Sequence, residues 1–386
     1  MLYLAIDQHR KQLTVNIRNE AGDVVLRRQV STQWEKVRKF FGDLRADSEA
    51  TGGFVAILEL CGFNHWLLMM LNEFGCRQTV LIRATKRSSK KTDHRDANAL
   101  GEVLWTNRKR LLEGKKVQNV QRIVLPTPED EENRQLTALR QRVGALRTRT
   151  INKVQRILLK HNLQQECPSK RLQTKKARRW LEQLSLGEVD CLEMNHLLAQ
   201  WDLWDSQLLE LEKKIMDRQR KHPVAAIVAT MPGAGAYSSL ALACRIGSIE
   251  RFPRPQSLAN YWGLTPRCRN SGEATDRLGS ITKEGSAVAR FLLAQMILHV
   301  LRRDGAMRQW YREIKKRRGS KIARVAVMRR STTILWHMVK HNQAYVVGGP
   351  PQNRLATAGP INRTSVRAPT KGAAPIASAI TSAQSG

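Results

Sequence analysis

The amino-acid sequence predicts a mixed α/β domain at the amino terminus, followed by long helices and a second, mostly helical domain. Three observations predict it. The first hundred residues alternate short apolar runs with amphipathic stretches. A seam of apolar residues at alternating four and three spacing runs from Leu197 to Ile215. Four acids, Asp7, Glu59, Asp93 and Asp96, stand at the ends of two apolar runs or at the start of a helical stretch, in a chain where 66 Lys and Arg face 33 Asp and Glu.

The elements follow in order. Residues 2–7 and 13–18 read as strands, and 24–30 as a third after the turn Glu20-Ala21-Gly22-Asp23. Trp34 to Arg45 is amphipathic and helical. Residues 53–60 form an apolar run of the buried-strand type. Asn64 to Phe74 reads as a helix, Gln78 to Arg83 as a strand and Asp93 to Trp105 as a helix. Three strands, helix, strand, helix, strand, helix is the order of an α/β ribonuclease H-like fold, with a hairpin-linked antiparallel part and a parallel part. Residues 106–130 are basic, then Pro-containing, and read as a linker or lobe, which closes a first domain at 1–130.

Residues 131–220 read as an α-helical coiled coil. The first helix carries Leu136, Leu139, Val143 and Leu146 on one stripe, and its register slips before Ile151, Val154 and Leu158. The second carries Leu197, Trp201, Trp204, Leu208, Leu211 and Ile215. The two helices pair either within the chain or between chains. Residues 221–345 read as a mostly helical domain. Residues 346–386 are rich in Ala, Gly, Pro, Ser and Thr without periodicity, which predicts disorder.

Composition narrows the function classes. A formal charge of +33 calls for a polyanionic partner, most commonly nucleic acid. No segment is apolar for long enough to span a membrane. Met1 leads directly into a strand, which leaves no room for a signal peptide. The six cysteines form no C-x-x-C pair, so neither a zinc site nor a disulfide frame is expected, and an intracellular protein is.

In so basic a chain the four acids need a reason. Asp7 and Glu59 end apolar strands, the sheet edge where ligands sit in open α/β folds. Asp93 and Asp96, three apart on a helix, share a face. Four gathered carboxylates repel one another unless a cation holds them, and Mg²⁺ prefers oxygen ligands. Each acid alone has a plainer use: a helix cap for Asp93, a surface pair for Asp96, a turn for Asp7. Arg83, Lys86, Arg87, Lys90 and Lys91 precede the acidic helix and suit DNA phosphates.

In the second half, Met231-Pro232-Gly233-Ala234-Gly235 lies between helical stretches. It reads either as a helix-hairpin-helix-like turn whose amides at Gly233 and Gly235 bind phosphate, or as a plain Gly turn. Further on, Ser271 is by chemistry alone one unremarkable serine in a polar loop, though Arg267 and Arg269 just before it suit a phosphate under attack by a hydroxyl. Ser280 and Ser286 are nearby alternatives.

Together Ala-Ile-Asp7, Leu-Glu59-x-x-Gly62, Lys91-Thr-Asp93-x-x-Asp96-Ala97, Pro232-Gly-x-Gly, Gly-Leu-Thr-Pro-Arg267, Ser271-Gly and Lys283-x-Gly285 resemble the DEDD-type insertion-sequence transposases, relatives of the Piv-type DNA invertases. The resemblance spans residues 1 to about 345. It implies a RuvC-like domain whose Asp7, Glu59, Asp93 and Asp96 bind Mg²⁺. It also implies a helical transposase domain in which Ser271 links covalently to a DNA phosphate. Donor and target DNA, a guide non-coding RNA and a homo-oligomer (dimer or tetramer) built through the coiled coil are the implied partners. The implied location is the bacterial cytoplasm, at the nucleoid. Glu59-Leu60-Cys61-Gly62 departs from the family's usual Glu-Ala-Thr-Gly or Glu-Ala-Cys-Gly, and the tail beyond Tyr345 is longer than the family leads one to expect. A structure-specific endonuclease of the junction-resolvase type, with water as nucleophile, is the alternative.

Overall fold

A computed structural model describes residues 1–83, 93–268 and 278–347. The tail expected from the sequence to be disordered lies outside the described residues from 348 onward. Two compact units divide the chain, Met1–Leu125 and the residues from Pro126 onward.

The first unit is built on a six-stranded mixed sheet. Its elements are β1 (Leu2–Gln8), β2 (Gln12–Arg18), β3 (Val24–Ser31), α1 (Trp34–Glu49), β4 (Phe54–Glu59), α2 (His65–Glu73), β5 (Thr79–Ile82), α3 (Asp93–Thr106), α4 (Arg108–Leu112) and β6 (Arg122–Ile123). The strand order is β3-β2-β1-β4-β5-β6. The hairpin-linked strands β1, β2 and β3 pair antiparallel, β4 runs parallel to β1 and β5 to β4, and β6 closes the edge antiparallel to β5. Residues 106–130, read from the sequence as a linker or lobe, therefore contribute a helix and the sixth strand to this unit.

Strand alternation gives the sheet two chemically different faces. Leu4, Ile6, Leu13, Val15, Ile17, Ala56 and Leu58 point to one side, where α1 and α2 bring Val37, Phe41, Leu67 and Leu71. Tyr3, Ala5, Val55, Ile57 and Val80 point to the other, where α3 brings Leu100 and Leu104. Burial on both sides explains why β1 and β4 are nearly continuous apolar runs.

The second unit is mostly helical: α5 (Pro128–Lys160), α6 (Lys175–Glu182), α7 (Glu188–Lys221), α8 (Pro223–Ala229), α9 (Ala236–Ile246), α10 (Pro255–Tyr261), the strands β7 (Pro266–Cys268) and β8 (Leu278–Ile281), α11 (Ala287–Arg303) and α12 (Gly305–Lys340). Pro128 opens α5 behind the cap Thr127, whose hydroxyl accepts from the Asp130 amide at 3.1 Å.

α5 and α7 pair within the chain. Ion pairs between Arg140 and Glu212, Arg147 and Asp205, Lys160 and Asp190, and Arg218 and Glu132 run in opposite numerical directions, so the two helices are antiparallel. Leu197, Trp201, Leu211 and Ile215 are buried as the seam predicts. The first half of α5 is not packed as expected. Leu139 and Leu146 are exposed and Leu136 is half-buried; Val143 is buried as expected, but so are the polar Asn133 and Thr137. The reason is polar packing against α9: Arg245 donates to the Thr137 hydroxyl at 3.1 Å, and Arg134 donates to the Cys244 carbonyl at 2.8 Å. Burial there pushes the Cys244 thiol up to about 11. A separate core gathers Trp262 and Leu264 from the turn after α10 with Leu292, Met296, Val327 and Leu335 from α11 and α12. No helix among the described residues is long and apolar enough to cross a membrane.

Candidate functional site

β1 and β4 carry Asp7 and Glu59 to the same sheet edge. Ile6 is level with Leu58 on the adjacent parallel strand, so the next residue of each strand is acidic. Tyr3 and Ala5, and Val55 and Ile57, face α3, and Asp7 and Glu59 continue those two alternating series. Asn64, 3% exposed, ties the two strand ends together. Its amide donates to the Gln8 side chain at 2.7 Å and to the Glu59 carbonyl at 3.2 Å, and its carbonyl oxygen accepts from the Cys61 amide. A ring nitrogen of His9 lies 3.0 Å from Asp7 Oδ2.

The helix bearing the other two acids is anchored over this face. Asn98 Oδ1 accepts from Asn16 at 3.3 Å, from Arg18 at 3.3 Å and from Arg27 at 3.2 Å, side chains of β2 and β3. Arg18 also pairs with Glu102 at 2.8 Å. A Cβ at Gly101 would come to 2.7 Å from Asn16 Oδ1, so only glycine lets the helix sit this close. Asn98 meets Asn16, which is level with Ala5, and Trp105 donates to the Glu20 carbonyl beyond the far end of β2. The helix thus runs antiparallel to β1, and its amino-terminal turn points toward Asp7. Asp96, half-buried, lies one turn before Leu100 on the sheet-facing side; Asp93 is the first helical residue, and its side chain lies outside the described residues.

The carboxylates at this edge offer oxygen donors, which suit a hard cation, with the His9 ring nitrogen beside Asp7. Thr14, level with Asp7 and 1% exposed, has a hydroxyl with no hydrogen-bond partner among the described residues, a group that the water shell of such an ion would satisfy. Among the described residues, no three His, Cys, Asp or Glu side chains are drawn together as a ready ligand cluster. Arg83 follows β5 at the same edge, exposed, with its amide bonded to the Gln121 carbonyl at 2.9 Å. Lys86, Arg87, Lys90 and Lys91 lie outside the described residues. Sequence reasoning missed Thr14, Asn64 and Asn98. A buried polar residue within an apolar strand was the available signal for Thr14.

In the second unit, the Pro232-Gly-Ala-Gly235 turn joins α8 to α9. Gly233 has φ +85, and a Cβ there would strike the ring of His299. The Gly235 amide already donates to Ser238 Oγ at 2.9 Å. Two motifs about twenty residues apart interlock further on. A Cβ on Gly263 would collide with the Glu284 backbone, and one on Gly285 with the Tyr261 carbonyl; both glycines have positive φ. Arg290 donates to the carbonyls of Trp262 at 2.9 Å and Gly285 at 3.2 Å, which locks the turn. From it emerge β7 and β8, paired antiparallel. Arg267 is exposed on β7, donating to the Thr282 carbonyl at 3.1 Å. Ser286 caps α11 by accepting from the Ala289 amide at 3.2 Å, while Ser280 is exposed on β8. Arg269 and Ser271, between the two strands in sequence, lie outside the described residues.

The interlocked turn and the two helices before it fall inside one stretch that is similar to a known family. Residues 225–312 match the Transposase IS116/IS110/IS902 family. The chain is 25% identical over 308 residues to the transposase for insertion sequence element IS1111A of Coxiella burnetii, a match covering 76% of this chain and 79% of that protein. It is 25% identical over 148 residues to the pilin gene-inverting protein of Moraxella bovis, covering 37% of this chain and 46% of that one. Over 62 residues it is 34% identical to a 43.6 kDa protein of insertion element IS110 from Streptomyces coelicolor, covering 16% of this chain and 15% of that protein.

Proposed function

We propose that this protein is the transposase of an IS110-type insertion sequence, a recombinase that cuts and rejoins DNA strands. Its likeness to the IS116/IS110/IS902 family and to the IS1111A transposase supports the class. One observation carries the chemistry: acids end two neighbouring parallel strands on the face covered by the helix that bears two more. We read the first unit as ribonuclease H-like, of the RuvC type. Asp7, Glu59, Asp93 and Asp96 would hold Mg²⁺ there. When bound, it offsets charge on the phosphate being cut.

The remaining work falls to the chain's own residues. The Ser271 hydroxyl attacks the phosphorus; an Oγ–P bond forms as the P–O bond to one deoxyribose breaks, and the departing oxygen takes up a proton as a hydroxyl. A hydroxyl of the second DNA strand then displaces Ser271, restoring the serine and completing the exchange. Arg267 and Arg269 offset the phosphate's charge during both displacements. Arg83, Lys86, Arg87, Lys90 and Lys91, with the turn at Gly233, hold flanking phosphates; the Gly235 amide, bonded to Ser238, does not. Guidance by a non-coding RNA, action as a dimer or tetramer and residence at the bacterial nucleoid belong to the same reading. A formal charge of +33 suits two nucleic-acid partners. Because α7 packs its seam on α5, self-association would use another surface.

Ser271→Ala is expected to abolish strand exchange on element-end DNA while leaving DNA and RNA binding near wild type. Exchange at wild-type rate in that variant removes the serine from the mechanism. A second reading is favoured by the placement of all four acids within the first unit, which has its own core: hydrolysis by water, as in a junction-cutting endonuclease. That reading gives cut ends and no protein–DNA adduct, so mass spectrometry of trapped reactions separates the two.

A further inference from the structure

α12 breaks in its middle. Gly319 has φ 83 and ψ 165, outside the helical region, and a Cβ placed there would meet nothing within 4 Å. Glycine is thus demanded by the backbone and not by packing. The break divides α12 into two arms. The second arm, from Ala323 onward, is core: Val327, Leu335 and Met338 pack with α10 and α11. The first is held through Met307 and the partly buried Trp310 and Tyr311. The arms also touch, since the Arg330 guanidinium lies 4.8 Å from the centre of the Trp310 ring.

Past that stacked pair the corner stands in solvent. Every residue from 315 to 322 is exposed. The stretch Lys315-Lys316-Arg317-Arg318-Gly319-Ser320-Lys321-Ile322-Ala323-Arg324 carries six cations and no acid. None of the six has a side-chain hydrogen bond or ion pair with another described residue. Some cations elsewhere in the unit are neutralised, as Arg140 is by Glu212 and Lys160 by Asp190. Within the first arm, Lys315 and Arg318 are like charges one turn apart, and so are Lys321 and Arg324 in the second; such pairs repel. A corner that buries nothing and repels itself contributes nothing to folding, and rules broken locally without compensation mark function.

We propose that this corner is a docking surface for the phosphate backbone of duplex DNA. The inference rests on the transposase reading for its partner and on charge complementarity for its place. A membrane surface fits poorly: Ile322 is the one large apolar side chain among the exposed residues of the corner, which leaves no apolar face to insert. Each cation set against a phosphate releases a counterion, so the corner makes DNA binding steeply salt-dependent.

The test uses the full chain with Lys316→Glu, Arg317→Glu and Lys321→Glu combined, and a second variant with Gln at the same positions. Fluorescence anisotropy with a labelled DNA duplex is followed over a series of KCl concentrations. Both variants should bind about tenfold or more weakly at moderate salt, and the slope of log K against log[KCl] should shrink by about 0.9 for each phosphate no longer neutralised. Circular dichroism melts should be at or above wild type, because repulsion is relieved. Wild-type affinity and slope in the Gln variant overturn the proposal. So does a loss confined to a structured RNA probe or to phosphatidylserine vesicles. Strand exchange by the wild-type protein is scored separately. Exchange with unchanged DNA binding in the variants removes the corner and leaves the transposase reading standing. Weakened DNA binding in the variants without wild-type exchange does the reverse.

Discussion

At the scale of single residues, the placement of the acidic helix depends on Asn98. Its one side-chain oxygen collects donors from Asn16, Arg18 and Arg27, and it stands two residues after Asp96. Removing that oxygen strands the amide of Asn16, which is 1% exposed, while Arg18 keeps Glu102 and the Gly22 carbonyl. Asn98→Ala should therefore cost about 1–3 kcal/mol in urea unfolding. Gly101→Ala should cost more than an ordinary helix substitution, since glycine-to-alanine normally favours a helix. Here the added carbon meets Asn16 and Arg18 and pushes α3 off the sheet. Equal stability of Gly101→Ala and wild type would show that the close approach is dispensable. A sequence reader sees Asn98 and Gly101 only as polar or permissive residues within a helix. Their partners are some eighty residues away in β2, and nothing local announces them. Asp7 and Glu59 were legible because each interrupts an apolar strand at its end.

At the scale of elements, β1 to β5 and α1 to α3 were legible because their hydrophobic period is clean and both faces of the sheet are covered. β6 was not: two residues long, it exists only because β5 offers an unpaired edge. The stripe expected on the first half of α5 failed for a related reason. Leucine spacing there suggested a seam, yet besides Val143 the buried positions are polar; Thr137 accepts from Arg245 of α9, and Arg134 beside it donates to the Cys244 carbonyl. Four of the six positions of the α7 seam are buried, and the helix it pairs with is α5 of the same chain. Trp201 sits in it at 3% exposure, with the guanidiniums of Arg147 and Arg178 at 5.8 Å and 6.0 Å from its ring. Trp201→Ala should lose about 3–5 kcal/mol. The loss should be the same at every protein concentration, because pairing within one chain has no concentration dependence. A loss that fades as the protein is diluted would assign the seam to an interface between chains.

At the scale of the whole molecule, the hydrophobic cores respect the division at Leu125. Every buried cluster around the sheet is drawn from residues before it, and every cluster around the helices from residues after it. The boundary stretch Val124-Leu125-Pro126 follows β6 immediately and precedes the α5 cap, so a cut there severs no strand pairing and no helix. A unit of this length with two covered sheet faces can bury enough apolar surface to be stable alone. A fragment comprising residues 1–125 is therefore expected to give a mixed α/β circular dichroism spectrum and a cooperative thermal transition. The fragment from Pro126 should give a strongly helical spectrum of its own. If 1–125 is unfolded in isolation, the acid-bearing sheet draws its stability from the second unit, and the hydrolytic reading loses its main support. If it folds, the same fragment separates the chemistry. The hydrolytic reading expects it to nick DNA with Mg²⁺, whereas the recombinase reading expects no cut without the unit that carries Ser271.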